Sequence, residues 1–222
     1  MMTAAERRRE RMRGETREAI LDAARQMVES EGIDGFSLRG VARAVGYSPA
    51  AIYEYFGSKE DLLDCLYFEG RGGLSDRMTA VLDEAPEGRP AIETLAAFGH
   101  AYRRAALEQP ELYRFIFGRG KTPQGAISKH EGPDVPPGNA FGLLIDLIAK
   151  GIENGEFIEA PPPVVALAAW ASVHGFVTLE LSGALEEASP PARRLKEGSA
   201  PPSHDDLFAA MLQVLALGTL RR

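Results

Sequence analysis

Residues 37–59, SLRGVARAVGYSPAAIYEYFGSK, leave the local fold little freedom. Ser37 stands where a helix N-cap is wanted, and Leu38, Val41, Ala42 and Val45 follow at helical spacing. Gly46 ends that helix, and Tyr47 and Ser48 complete the turn. Ser48 caps a further helix with Pro49 at its first position, where a missing N–H costs nothing. This helix, expected over Pro49–Tyr55, is only about 10 Å long at 1.5 Å per residue. Ile52 and Phe56, four apart, anchor it, leaving Ala50, Ala51, Tyr53, Glu54 and Tyr55 for its other faces. Two short helices around a glycine turn, the second with small exposed residues, have the layout of a helix-turn-helix that enters a DNA major groove.

The flanks complete a small core. Ile20, Ala23, Ala24, Met27 and Val28 form an apolar stripe over a helix expected at Thr16–Glu31. Gly32 stops it, and Ile33 and Phe36 fold back over the stripe. Ser58-Lys59-Glu60-Asp61 has a box-like cap pattern and opens a fourth helix. Leu62, Leu63, Leu66, Tyr67, Leu74, Met78, Val81 and Leu82 carry this helix to about residue 83. Residues 1–14 are Arg-dense and read as a flexible arm, suited either to phosphate contacts or to simple solvation.

The remainder reads as helices between Pro/Gly breaks. Helices are expected at Ala91–Glu108, from Pro110 through PELYRFIF, at Asn139–Asn154, at 164–182 and at Asp205–Leu220. Loops rich in Pro and Gly are expected at 118–138 and 183–202. No run alternates as a strand does, so the expected fold is all-α. A helix-turn-helix domain at 15–60 follows the arm, and a larger helical domain occupies 61–222.

Charge sharpens the division. The net charge of −7 is unpromising for a DNA binder, but residues 1–60 carry 10 Lys/Arg against 10 Asp/Glu, while 61–222 carry 15 against 22. The acid therefore lies away from the candidate reader. Cys65 stands alone, which excludes an internal disulfide and a thiolate cluster for zinc, and it reads as a buried structural thiol. The four histidines (100, 130, 174, 204) have no metal-ligand spacing. No cofactor is expected, and neither is an enzyme, since no nucleophile–base pair, carboxylate cluster or phosphate loop is evident. Overall acidity argues against a DNA-packaging protein that ignores sequence. Val164–Leu179 carries no charge but spans 16 residues, short of the roughly 20 needed to cross a bilayer. The protein is expected to be soluble, cytoplasmic and without membrane contact.

Residues 16–66 resemble the signature of the TetR family of bacterial transcription regulators. The matching features are the turn glycine Gly46, the Tyr53-x-Tyr55-Phe56 ending, Lys59 three residues after Phe56, and Glu31-Gly32 followed by Phe36. Gly40 departs from the most helix-favouring choice and weakens its helix by up to about 1 kcal/mol relative to Ala. The resemblance implies DNA contacts from Ser37, Arg39, Tyr47, Ser48, Ala50, Ala51, Tyr53, Tyr55 and Lys59. Of these, Ser37, Tyr53, Tyr55 and Lys59 suit phosphate, Tyr47 and Ser48 suit backbone or base edges, and the alanine methyls suit thymine methyls. With so few bidentate side chains, the operator sequence stays open.

Trp170-Ala-Ser-Val-His174-Gly175 resembles the W-x-x-x-H-G pattern of one C-terminal domain class in that family. Trp170 and His174 share a helical face, either as pocket wall or as plain core. Phe98, Tyr102, Tyr113, Phe117, Phe141, Trp170 and His174 are the candidate lining of a cavity for a largely apolar small-molecule effector. A recognition helix of two turns reads few base pairs, so a homodimer is expected, paired through the small-residue helix 164–182 and the leucine-rich helix 205–220. It would bind a palindromic operator on double-stranded DNA as a repressor released by its effector.

Overall fold

Thr3 opens the first helix with a complete capping box. Its hydroxyl accepts from the Glu6 N–H (3.2 Å) and its own N–H donates to the Glu6 carboxylate (2.6 Å). The computed structural model describes residues 2–118, 140–188 and 201–220. Residues 119–138 and 189–200 of the two expected loops lie outside the described residues.

Helix α1 spans Ala4–Gly35, with a break at Gly32, where φ is +69°. The Arg-dense residues 4–14 are thus the first turns of α1, extending the helix that the apolar stripe alone would start at Thr16. α2 is Leu38–Ala44 and α3 is Pro49–Ile52. α4 is Lys59–Asp83, α5 is Ala91–Glu108 and α6 is Pro110–Gly118. α7 is Ala140–Glu153, α8 is Pro162–Leu181, α9 is Ala184–Ala188 and α10 is His204–Thr219. The described residues contain no strand, only an isolated antiparallel bridge between Phe157 and Leu220. The fold is all-α, as expected.

The chain packs as two units. The first is Met1–Gly72 with Gln109–Pro137, and the second is Gly73–Glu108 with Gly138–Arg222. In the first unit, Ile20, Ala24, Val28, Val41, Ile52, Leu62 and Leu66 are fully excluded from solvent and make one core. Leu112, Phe115 and Ile116 of α6 belong to that same core. The PELYRFIF segment, expected in the body, therefore packs with the first unit. Glu29 of α1 accepts the Leu112 N–H (2.6 Å) and so satisfies one of the free donors at the start of α6. Seven residues of helix α2 and four of α3 cannot hold themselves together in water; α2 packs on α1, α3 on α2, and both bury side chains in the shared core.

In the second unit α8 packs against α5, α7 and α10. Its core includes Phe98, Ile148, Phe157, Val177 and Phe208. Arg103 of α5 clasps three helices. Its Nε and Nη2 donate to the two Glu180 oxygens (2.8 and 2.6 Å), and Nη1 donates to Asp205 (2.6 Å). The Arg103 and Glu180 side chains are only 11% and 7% exposed, so each charge depends on the other for solvation. The bonds to Glu180, ahead of all other causes, hold the Arg103 guanidinium protonated well above its ordinary range.

Candidate nucleic-acid interface

Three serine caps set the reader. Ser37 Oγ accepts the Gly40 N–H (3.2 Å), Ser48 Oγ that of Ala51 (3.2 Å), and Ser58 Oγ that of Asp61 (3.0 Å). Gly46 turns the chain between α2 and α3 at φ +74°. A side chain there would meet nothing within 4 Å, so backbone conformation alone favours glycine. α3 is shorter than expected. After Ile52 the N–H groups of Tyr53, Glu54 and Tyr55 bond to the carbonyls three residues back (3.2, 3.2 and 3.0 Å), which tightens the last turn into a 3₁₀-like form. Ile52 and Phe56 stay buried through this change of pitch.

The opposite side is open. Ser37, Arg39, Tyr47, Ser48, Ala50 and Tyr53 are exposed, with Tyr53 54% accessible despite its ring. Ala51, Tyr55 and Lys59 are half-buried. Lys59 donates to the Phe36 carbonyl (2.9 Å) and lies over the Phe36 ring (5.3 Å). It thereby ties the start of α4 to the chain entering α2, leaving two of its three N–H donors for other partners.

Two arginines outside the expected set brace the end of the recognition turn. Arg13 donates to the Glu54 carbonyl (3.0 Å) and lies 5.9 Å from the Tyr55 ring centre. Arg17 lies over Phe56 at 5.0 Å and donates to Cys65 Sγ at 3.2 Å. Both stand on the N-terminal half of α1. The local signal for that half was the Thr3-x-x-Glu6 cap box, which places a helix start ahead of the Arg-rich run. Burial pushes the half-buried Cys65 thiol up, so it behaves as a structural thiol rather than a thiolate.

The candidate effector residues separate. Tyr113 and Phe117 lie in the first unit, ring to ring at 4.8 Å. Phe98, Tyr102, Phe141, Trp170 and His174 lie in the second. There Trp170 Nε1 donates to the Tyr102 hydroxyl (3.4 Å), which is also hydrogen-bonded to His174 Nδ1 (2.9 Å). Phe141 packs on Trp170 at 5.8 Å. Burial holds the His174 imidazole below its ordinary pKa and so favours the neutral ring. Phe98, Tyr102 and Trp170 border a cavity of about 30 Å³, room for one water molecule. A wider apolar groove of about 310 Å³ lies beside it between α5, α8 and α10, with Leu95, His100, Val173 and Leu212 among its walls. Among the described residues, no group of His, Cys, Asp and Glu is placed to hold a metal ion.

Comparison with known proteins agrees with the geometry. Residues 20–66 match the family described as bacterial regulatory proteins, tetR family. Residues 95–215 match the tetracyclin repressor-like C-terminal domain. The chain is 25% identical over 207 residues to an HTH-type transcriptional regulator of Mycobacterium tuberculosis, across 93% of this chain and 83% of that one. A solved structure of a protein of unknown function from Rhodococcus sp. RHA1 superposes with TM-score 0.72 at 26% identity, over 92% of this chain and 95% of that one. The fatty acid degradation regulator FadR from Bacillus halodurans shares the fold, with TM-score 0.64 at 22% identity over 90% and 94%. α8 is apolar enough to cross a membrane by length and composition, and in the second unit it packs against α5, α7 and α10. With its two halves matching the two halves of one architecture, the chain belongs to the TetR family of bacterial transcription regulators, and it is a DNA-binding protein rather than an enzyme.

Proposed function

We propose that the protein is a cytoplasmic, ligand-responsive repressor that binds a palindromic operator as a homodimer and leaves it when a small molecule binds the second unit. The observation that carries this reading is the two-sidedness of residues 37–59. Ile52 and Phe56 are buried, while Tyr47, Ser48, Ala50 and Tyr53 face outward over a rigidly capped frame. In this reading Ser37, Arg39, Tyr53, Tyr55 and Lys59 hold phosphates, and Tyr47, Ser48, Ala50 and Ala51 approach base edges. Two turns of recognition helix touch few base pairs, so a second copy on a second half-site supplies the missing affinity.

The dimer surface in this reading is the outer face of α8 and α10. Val164, Leu167 and Leu179 are 60%, 51% and 47% exposed, and Val214 and Leu217 are 69% and 72% exposed. Ala168 and Ala171 are exposed and Gly175 is half-buried, so these residues give α8 an apolar outer stripe beside the exposed apolar residues of α10. Isolated exposed apolar residues are ordinary; continuous stripes on adjacent helices mark an interface. The effector enters the second unit at the aromatic cluster of Phe98, Tyr102, Phe141, Trp170 and His174. Trp170, His174 and Gly175 then make this body a member of the W-x-x-x-H-G class. At about 30 Å³ the cavity is too small for an organic effector, which must displace the Trp170 or Tyr102 rings or widen the cavity toward the α5–α8–α10 groove. Its leverage equals its differential affinity for the open and closed arrangements.

Fluorescence anisotropy against duplexes covering the DNA next to the protein's own gene tests the reading. Saturable, salt-sensitive binding of one duplex at nanomolar to micromolar protein, well above that of a scrambled one, is expected. Equal affinity for every duplex would overturn it.

A further inference from the structure

The first unit carries a groove that the helix-turn-helix does not account for. It has a volume of about 620 Å³ and lies between the start of α1 and the recognition turn. Arg8, Arg9 and Arg13 form one wall, and Tyr47, Glu54 and Tyr55 belong to the other. Arg13 is engaged with the Glu54 carbonyl and the Tyr55 ring. Arg8 and Arg9 are exposed and have no ion pair or side-chain hydrogen bond among the described residues. Arg9 and Arg13 are four apart on the helix, a like-charge spacing that costs stability. Glu54 is the sole acid in the groove against three guanidinium groups. The wall therefore concentrates uncompensated positive charge within a Debye length of two phenols that also belong to the reading face.

We propose that this groove seats a DNA sugar–phosphate strand, with Arg8 and Arg9 neutralising phosphates that flank the half-site read by residues 37–59. Arg13 acts as a positioning residue that holds the end of the recognition turn against α1. The ligand chemistry follows from the lining. Guanidinium and phenol groups bind phosphate oxygens without reading bases, and an open groove suits a continuing strand better than a discrete anion. Residues 4–16, helical because of the Thr3–Glu6 cap, present these arginines in a fixed register with Tyr47 and Tyr55. The proposal rests on the DNA-binding reading and extends its footprint outward from each half-site.

The test uses the full chain and its Arg8→Gln/Arg9→Gln variant, both sites being exposed. The probes are a 36-bp random-sequence duplex and the duplex that the parent protein enriches from that pool. Anisotropy titrations from 50 to 200 mM KCl give the slope of log K against log salt. Two lost phosphate contacts lower the slope by about 1.8, so over this fourfold range the parent loses ~12-fold more affinity than the variant. The base preference of the enriched duplex stays unchanged. Trimming base pairs outside the half-sites weakens the parent and leaves the variant unaffected.

Equal slopes in parent and variant would overturn the proposal. So would a variant that melts at lower temperature and loses affinity alike on long and trimmed duplexes, since the arginines would then serve only to build α1. A parent that binds neither probe defeats the DNA-binding reading itself, a separate outcome.

Discussion

Ser75 is the residue least at ease in its surroundings. It lies in α4, 2% exposed, and its hydroxyl has no hydrogen-bond partner among the described residues. A buried polar group left unpaired costs about 1–3 kcal/mol. Ser75→Ala is expected to raise stability by about 1 kcal/mol, seen as a higher urea midpoint at unchanged m-value. His174 works in the opposite sense under acid. Burial lowers its folded pKa, whereas in the unfolded chain it titrates near 6.5. Above that pH both states carry a neutral ring and the residue adds no pH dependence. As pH falls through about 6.5 the unfolded chain takes up the proton first, so stability declines until the folded ring also protonates. The urea midpoint is expected to drop between pH 7.5 and 5.5, and to drop less in His174→Gln than in the parent.

At the scale of elements, close approach decides several glycines that the sequence presents merely as poor helix formers. Gly40 is one. A Cβ there would meet the terminal methyl of Met27, so the residue lets α2 sit against α1. Its helix-propensity cost was legible from the residue type, but its reason was not, because Met27 is a neighbour only in space. Gly151 is stricter. A Cβ on it would collide with the fully buried Phe157 ring, which the chain folds back onto α7 through N–H bonds from Glu156 and Phe157 to the Gly151 carbonyl. Met27 is flexible and only half-buried, whereas the Phe157 ring has nowhere to go. Gly151→Ala is accordingly expected to destabilise the second unit by about 1–3 kcal/mol despite its better helix propensity, as thermal or urea melts will show.

Element ends divide in the same way. The caps at Ser37, Ser48 and Ser58 were readable because a cap is satisfied within three residues. The contraction of α3 to four residues was not, because Ile52 and Phe56 must both reach a core supplied by α1 and α4. The last turn adjusts its pitch to let them.

At the scale of the whole molecule, the proposed partner is a second copy of the chain. If α8 and α10 form the dimer face, Val214→Glu/Leu217→Glu sets two acids per subunit on that face, and they are exposed in the single chain. The variant is expected to fold, to sediment as a monomer, and to bind operator DNA at least ~100-fold more weakly through loss of the second tethered half-site. A variant that sediments as a dimer places the interface elsewhere.

The division of labour between sequence and fold follows interaction range. The helical periodicities, the glycine turn, the serine caps and the charge asymmetry are local or additive properties. They were enough to determine an all-α chain with a helix-turn-helix at 37–59, while membership in the TetR family came from the resemblance of residues 16–66 and the comparisons that followed. Only the tertiary structure decided that α6 completes the reader's core and that Arg103 pairs with Glu180 across 77 positions. It alone separated Tyr113 and Phe117 from the other candidate pocket aromatics. It also turned an Arg-rich beginning into a charged wall beside Tyr47 and Tyr55. Each of these depends on which apolar faces find one another, and burial of that kind is a property of the assembled chain that no window of residues contains.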